Sequence, residues 1–472
     1  MSFEALEGPR CVFPLRGARA IELRSDGISH PRSPWGGLQI FTPYEDITHL
    51  ALSRRAAWLG TEQSVYFWAR RSFEDAGDPE RIASALSAIL SHRPGGAAQL
   101  ERMAAIDASA RTARPPLAIL LFAASCVALF GLERAVGFGV FEVGYFSLPL
   151  VRDGDFFRLV TSPLIHAGPA HLLQNLVFLL PLGLLLERAI GTARTACALL
   201  AAAAGGQGLA GLVSPSSMIG SSAVLFGLAG ALLWVDINRA REIPAPARLP
   251  RLWLVVLVVF LALDLVPLPA ADPLGPARSV AAHVGGLVGG LVAALLVSRP
   301  RLRPASGARW PALAGGLVGG LSLLSLAQAG LALFGPGDFP ARHAARLAAL
   351  PGVAPDDLNN LAWRIAIQSD PTEAELEAAL ELAKRAVSET DRRLAPLLDT
   401  LAELHFLLGR TERAIGAIDE AIEREPGEPY YREQRRRFTG ERPAADRPRE
   451  PSPLRPPEAP PPAPPPAGGI TV

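Results

Sequence analysis

Apolar residues run almost unbroken through the middle of the chain, Leu117 to Phe334, and fall into short periodic pieces at both ends. Spanning the hydrocarbon core of a bilayer takes about 20 consecutive apolar residues in a helix. The central runs predict seven spans, at 116–133, 171–189, 193–213, 222–237, 251–268, 279–298 and 311–334. Arginines set their direction, because short cytoplasmic loops are enriched in positive charge. Arg111 and Arg114 precede the first span, and Arg188 and Arg194 flank the turn between the second and third. Arg239, Arg241, Arg248 and Arg251 lie between the fourth and fifth, and Arg299, Arg301, Arg303 and Arg309 between the sixth and seventh. The other side has no Lys or Arg between spans three and four, and only Arg278 between five and six. The N-terminus is therefore expected in the cytoplasm, and spans two, four and six enter from the outer face. The exception is 134–170, with Arg134, Arg152 and Arg158; it is amphipathic and aromatic, and reads as a lateral structure at the interface.

The ends follow other periods. "AIELRSDGISH", "LQIFTPYEDITHLALS" and "AAWLGTEQSVYFWARR" alternate as strands do, with turn residues between them. "DPERIASALSAILSHR" then predicts a helix opened by Asp78 and Pro79, with Ile82, Leu86, Ile89 and Leu90 on one face. Strands followed by one helix over residues 1–110 resemble a small α+β pleckstrin-homology-like domain. Beyond the seventh span, "LNNLAWRIA" with "LELAKRAV" and "LDTLAELHFLLGRTERAIGAIDEAIEREP" share a helix–turn–helix pattern. That pattern resembles tetratricopeptide repeats, about two copies within 340–440, for which a peptide or protein partner is expected. If the seventh span crosses, these repeats lie outside the cytoplasm. Residues 441–472, ending "PPEAPPPAPPPAGGITV", read as a disordered proline-rich tail.

Polar side chains inside spans are costly and mark function by default. His171 and Asn175 open span two, Ser222 opens span four, and His283 lies near the start of span six. Since all three spans enter from the same side, these residues are expected in one layer below the outer surface. Serine becomes a nucleophile when a neighbouring base takes its proton. His283 suits that task, while His171, Asn175 and the Ser222 N–H at a helix N-terminus suit a developing oxyanion. No aspartate within the spans stands near His283, which points to a dyad rather than a triad. Taken singly, Ser222 or its neighbour Ser221 would be a helix N-cap, and His283 a packing residue. Their shared depth favours chemistry. His166 reads as interfacial, with shaping of the site as the alternative.

Three stretches carry a resemblance: "GDFFRLVTSPLIHAGPAHLLQNLVFLLPLG" with its H-x-x-x-N, "GSSAVLFGLAGALL" with G-x-S-x, and "AHVGGLVGG" with A-H-x-x-G-x-x-x-G. Together they resemble the rhomboid intramembrane serine proteases over about 150–300. The resemblance implies a six-helix membrane bundle at 116–298 with a seventh helix at 311–334. It implies Ser222 as nucleophile and His283 as base, with His171 and Asn175 at the oxyanion and Gly220 supporting the site. Phe226, one turn after Ser222, would pack against the histidine, and Glu187 would be a structural acid. Gly286 and Gly290 would allow close helix packing. The same "GGLVGG" recurs at Gly315–Gly320 without a polar partner, so there too it reads as packing. The family commonly has glycine where this chain has Ala223; alanine is small and helix-compatible, but its methyl could crowd the bend that presents the Ser222 N–H, which bears on efficiency rather than on activity as such.

The remaining composition excludes more than it adds. The 472 residues carry a net charge of +1 with no basic stripe, which argues against nucleic acid as a partner. Cys11, Cys126 and Cys197 show neither metal spacing nor a paired framework, and no metal or organic cofactor is expected. "MSFEALEGPR" has no basic n-region leading into an apolar run, so no cleavable signal peptide is expected. The reading is a multi-pass membrane endopeptidase, expected in a bacterial inner membrane, that cleaves transmembrane segments of other proteins. Its alternative is an inactive rhomboid-like scaffold that binds membrane proteins. A transporter would need midplane charges or broken helices in paired halves, which the spans lack.

Overall fold

The computed structural model describes residues 12–448, apart from 18, 33–37, 112–114, 137, 240–248, 250, 265–274 and 298–309. The first eleven residues, the arginine-bearing stretches at 240–248 and 298–309, the last residues of the expected fifth span and the tail beyond 448 lie outside the described residues.

The N-terminal region is built from two antiparallel meanders. β1 (Val12–Leu15), β2 (Arg19–Leu23), β3 (Gly27–Pro31) and β4 (Gln39–Pro43) pair in that order. β5 (Ile47–Leu52), β6 (Ala56–Thr61) and β7 (Val65–Ala69) form the second sheet. In β1 the alternation places Phe13 and Leu15 inside and leaves Val12 and Pro14 exposed. α1 (Asp78–Ser91) buries Ile82, Leu86, Ile89 and Leu90 against Ile21, Ile28, Leu59 and Trp68. α2 (Gly96–Arg111) follows, and its buried Gln99 donates from Nε2 to the carbonyls of Tyr44 (2.7 Å) and Ile47 (2.8 Å).

The membrane part opens with α3 (Leu117–Val136). Between α3 and the next long helix lie three short helices, α4 (Val140–Gly144), α5 (Leu148–Arg152) and α6 (Arg158–Thr161), in place of a span. Arg158, one of the three arginines that depart from the arginine count, is 2% exposed. It donates to the carbonyls of Glu142 (3.0 Å) and Tyr145 (2.8 Å) and pairs with Asp155 at 2.9 Å. Its charge holds the lateral segment together instead of facing lipid headgroups. Then come α7 (Pro169–Ile190), α8 (Thr192–Val213), α9 (Ser222–Arg239), α10 (Arg251–Asp264), α11 (Gly275–Val297) and α12 (Trp310–Phe334).

Among the described residues, five helices are long and apolar enough to cross a membrane, those of α3, α7, α8, α11 and α12. The expected spans at 222–237 and 251–268 correspond to the shorter α9 and α10. α9 starts only at Ser222, because Met218 before it bridges to Phe146 and the chain bends at Gly220, φ +100°. The bundle core joins Ile119, Leu179, Leu182, Leu186, Val224, Leu228, Leu232 and Ala294. α8, α9 and α11 lie in backbone contact. A Cβ on Gly286 would collide with the Ala223 carbonyl, one on Gly290 with the Gly227 carbonyl, and one on Gly205 would stand 2.6 Å from the Gly285 oxygen. The matching glycines of α12 behave differently. Gly315 faces Ala193, but Gly316, Gly319 and Gly320 have no described atom within 4 Å of a built Cβ. The shared "GGLVGG" is thus a tight interface in α11 and largely an open face in α12. The expectation of packing there is met at Gly315 alone.

In a second unit, from residue 336, the described residues form six α-helices: α13 (Phe339–Ala349), α14 (Pro355–Ala366), α15 (Glu373–Glu389), α16 (Ala395–Leu407), α17 (Thr411–Arg424) and α18 (Pro429–Phe438). α15 starts on a capping box in which Thr372 and Glu375 exchange side-chain and backbone bonds. α16 and α18 begin at Ala395 and Pro429, 34 residues apart, whereas α14 and α16 begin 40 apart. Residues 441–448, expected at the head of a disordered tail, instead have a defined course on this unit: Arg447 reaches Glu403 at 2.7 Å.

Candidate active site

α9 begins at Ser222, so the first backbone N–H groups of that helix lack intrahelical acceptors and carry its positive dipole end. The approach to Ser222 is pinned from two sides. Phe146 and Met218 exchange backbone bonds at 2.8 and 2.9 Å, and the Gly220 N–H donates to the Ser162 carbonyl at 3.0 Å. The lateral segment therefore sets the bend that delivers the serine. Gly220 makes the bend: its φ of +100° is in the region that favours glycine. A Cβ there would stand 2.7 Å from His171 Cε1 and 2.8 Å from its Nε2. The His171 ring thus lies over the backbone two residues before Ser222.

His171 and Asn175 share a face of α7, one turn apart. The Asn175 side-chain amide donates to the His171 carbonyl at 3.0 Å, and Asn175 is 4% exposed. From the other side comes α11. His283 is buried, and its ring stacks on Phe226 with centroids 4.4 Å apart and planes 17° apart. Gly286, one turn after His283, packs on the Ala223 backbone, and Gly290 on that of Gly227. One face of α11, at 283, 286 and 290, thus runs along the first turns of α9. Gly220, His171 and Asn175 gather before Ser222, while Phe226 and His283 gather after it.

Glu187 stands apart from this group. Its two carboxylate oxygens accept the N–H groups of Ala118 and Ile119, each at 3.0 Å, at the start of α3. A carboxylate there satisfies two orphan donors and faces the positive end of the helix.

Ala223 does not crowd the bend. Its methyl points at Gly206 of α8, where an added Cβ would come within 2.5 Å of it. Ala223 is 2% exposed and packs with Ala210, Ala281 and Ala282. Glycine at 206 makes the room that alanine at 223 takes up.

His166 and Ser221 have a larger place than their sequence suggested. His166 is 5% exposed, and its Nε2 lies 3.3 Å from the Oγ of the fully buried Ser221. Its ring also meets His171 edge to face at 5.1 Å. Burial, reinforced by His171, pushes the His166 imidazole down to about 4, so it is neutral near pH 7. The cue in the sequence was the pair of histidines five apart in "HAGPAH". The Phe146–Met218 bridge had no local cue, since it joins residues 72 positions apart. Among the described residues, no group of three or more His, Cys, Asp and Glu side chains converges as metal ligands would.

Residues of three helices of the bundle, α7, α9 and α11, thus gather around the start of α9. Residues 153–300, which contain Ser222, His283, His171 and Asn175, match the family model of the rhomboid domain. Rhomboid protease GluP of Bacillus subtilis (strain 168) is similar, 34% identical over 109 residues, covering 23% of this chain and 20% of that protein. RHOMBOID-like protein 5 of Arabidopsis thaliana is 27% identical over 164 residues, 34% of this chain and 50% of that one. RHOMBOID-like protein 4 of the same plant is 30% identical over 144 residues, 29% and 33%. The chain spans between a fifth and a half of the length of these relatives. These matches support the rhomboid family for this part of the chain.

Proposed function

We propose that this protein is an intramembrane serine endopeptidase that cleaves transmembrane segments of other membrane proteins. Ser222 Oγ attacks the scissile carbonyl while His283 accepts its proton and then passes it to the leaving amine. The oxyanion is held by the Ser222 N–H at the head of α9, with His171 and Asn175 beside it. Water then hydrolyses the acyl-enzyme with His283 again as base. The observation that carries this reading is the Phe226–His283 stack, which holds an imidazole one turn along the helix that Ser222 opens. Labelling the purified protein with a fluorophosphonate probe tests it. The parent should label, and Ser222→Ala and His283→Ala should not; equal labelling of all three would overturn the dyad. A folded parent that binds membrane proteins yet never labels would favour the inactive scaffold.

In this proposal the bundle has seven spans, the N-terminus lies in the cytoplasm and the helical unit from 336 lies outside, as in a bacterial inner membrane. The arginine distribution supports that orientation, and a C-terminal tag should be protected from protease in inverted vesicles. The two meanders followed by α1 support a pleckstrin-homology-like reading of the N-terminal region. The 34-residue spacing of α16 and α18 supports tetratricopeptide-like repeats in the second unit, with a protein partner.

A further inference from the structure

Within the helical unit, one carboxylate gathers two guanidinium groups of different standing. Glu403 of α16 is fully buried. Arg437 of α18, 2% exposed, forks onto it with Nη1 to Oε2 and Nη2 to Oε1, both at 2.8 Å. Arg437 Nη1 also donates to Gln434 Oε1 at 2.7 Å. This pair lies between helices and belongs to their packing.

The second guanidinium comes from outside the helices. Arg447 lies nine residues past the end of α18, in "PAADRPREP". Its Nη2 donates to Glu403 Oε1 at 2.7 Å and to the Ala366 carbonyl at 3.3 Å, where α14 ends. Its guanidinium carbon stands 5.7 Å from the centroid of the Trp363 ring, within cation–π range. Pro448 after it favours extended backbone at Arg447. The residues before it, Pro443 to Asp446, are exposed. The Ala444 carbonyl accepts from Arg437 Nε at 2.7 Å, and Asp446 pairs with Arg442.

These two cations are not equivalent. The fork from Arg437 already compensates the Glu403 charge, so a second guanidinium gains less from it and is repelled by the first. The Arg447 side chain is 30% exposed where that of Arg437 is 2%. The outer pair therefore meets solvent on one side and opens more easily than the buried fork. An aromatic face, a carboxylate oxygen and a helix-end carbonyl converging on one planar group are what recognition of arginine requires. We propose that Trp363, Ala366 and Glu403 form a binding site for an arginine side chain in an extended peptide. Arg447 fills that site in this chain, and an arginine-bearing segment of a partner protein takes it when Arg447 withdraws. The tether holds Arg447 at an effective concentration on the order of millimolar, so the partner competes with a resident ligand. This inference does not depend on the protease reading.

The test uses the full chain in detergent and a fluorescein-labelled peptide of residues 443–451, followed by anisotropy. The Arg447→Ala chain should bind the peptide about tenfold more tightly than the parent, because the tethered competitor is gone. Replacing the arginine that corresponds to Arg447 in the peptide with citrulline, which keeps the shape and removes the charge, should abolish that binding. Trp363→Leu in the Arg447→Ala background should weaken it. An Arg447→Ala chain that binds no more tightly than the parent would overturn the proposal. So would a citrulline peptide that binds as well as the arginine one, a comparison made on one protein and therefore independent of any effect on folding.

Discussion

Phe226 and His283 lie stacked, ring centroids 4.4 Å apart and planes 17° apart, although 57 residues separate them in the chain. The stack fixes the plane of the imidazole relative to the helix that starts at Ser222. Phe226→Ala should leave the protein folded and reduce the rate of fluorophosphonate labelling roughly tenfold, a cost of about 1.4 kcal/mol in positioning. Phe226→Leu should lie near the alanine variant, since a branched aliphatic chain fills volume without holding the ring plane. A Phe226→Ala rate equal to that of the parent would remove the positioning role.

The two copies of "GGLVGG" give opposite expectations. Gly290→Ala in α11 drives a methyl into the Gly227 carbonyl and should destabilise the bundle by about 1–3 kcal/mol. Gly319→Ala in α12 meets open space and should be neutral or stabilising by up to about 1 kcal/mol through helix propensity. Thermal unfolding in detergent separates the two, and equal shifts would contradict the close approach of α9 and α11.

Gly220→Ala combines a left-handed backbone with a collision against His171. It should abolish labelling of Ser222 while circular dichroism stays that of the parent, because the strain falls on the bend and leaves the helices intact.

Glu187→Gln keeps the shape but leaves a single acceptor oxygen for two N–H groups at the head of α3. A loss of about 1–3 kcal/mol in thermal stability is expected, from a buried donor left without a partner. Fluorophosphonate labelling below the unfolding temperature should be unaffected, since Glu187 lies outside the group around Ser222.

Glu403 sets a pH dependence in the helical unit. Burial alone would raise its pKa, but Arg437 and Arg447 outweigh burial and hold the carboxyl below the ordinary glutamate value. A group with a lowered folded pKa contributes stability in full above its unfolded value, about 4.3, and loses it as pH falls through the folded value. At pH 7, Glu403→Gln should cost about 3–5 kcal/mol by leaving Arg437 buried without a counter-charge. The gap between parent and variant should narrow below about pH 4, which limited proteolysis of the unit across pH can follow.

Much of this fold was written in periodicity. The alternation that places Phe13 and Leu15 inside, the helix opened by Asp78 and Pro79, and the capping box at Thr372 are local patterns with local causes. The sequence by itself also determined which spans carry His171, Asn175, Ser222 and His283, because hydropathy and arginine placement are properties of single segments. Tertiary structure decided the rest. Whether a glycine pair is an interface depends on what lies opposite, and so the same six residues pack in α11 and largely face open space in α12. Whether Ala223 obstructs the serine depended on Gly206, a residue of another helix. In sequence Arg158 is an external charge and Arg447 part of a tail; in the fold, backbone carbonyls bury the one and Glu403 holds the other. Each is a contact between residues distant in sequence. Such contacts leave no trace in any one segment's period.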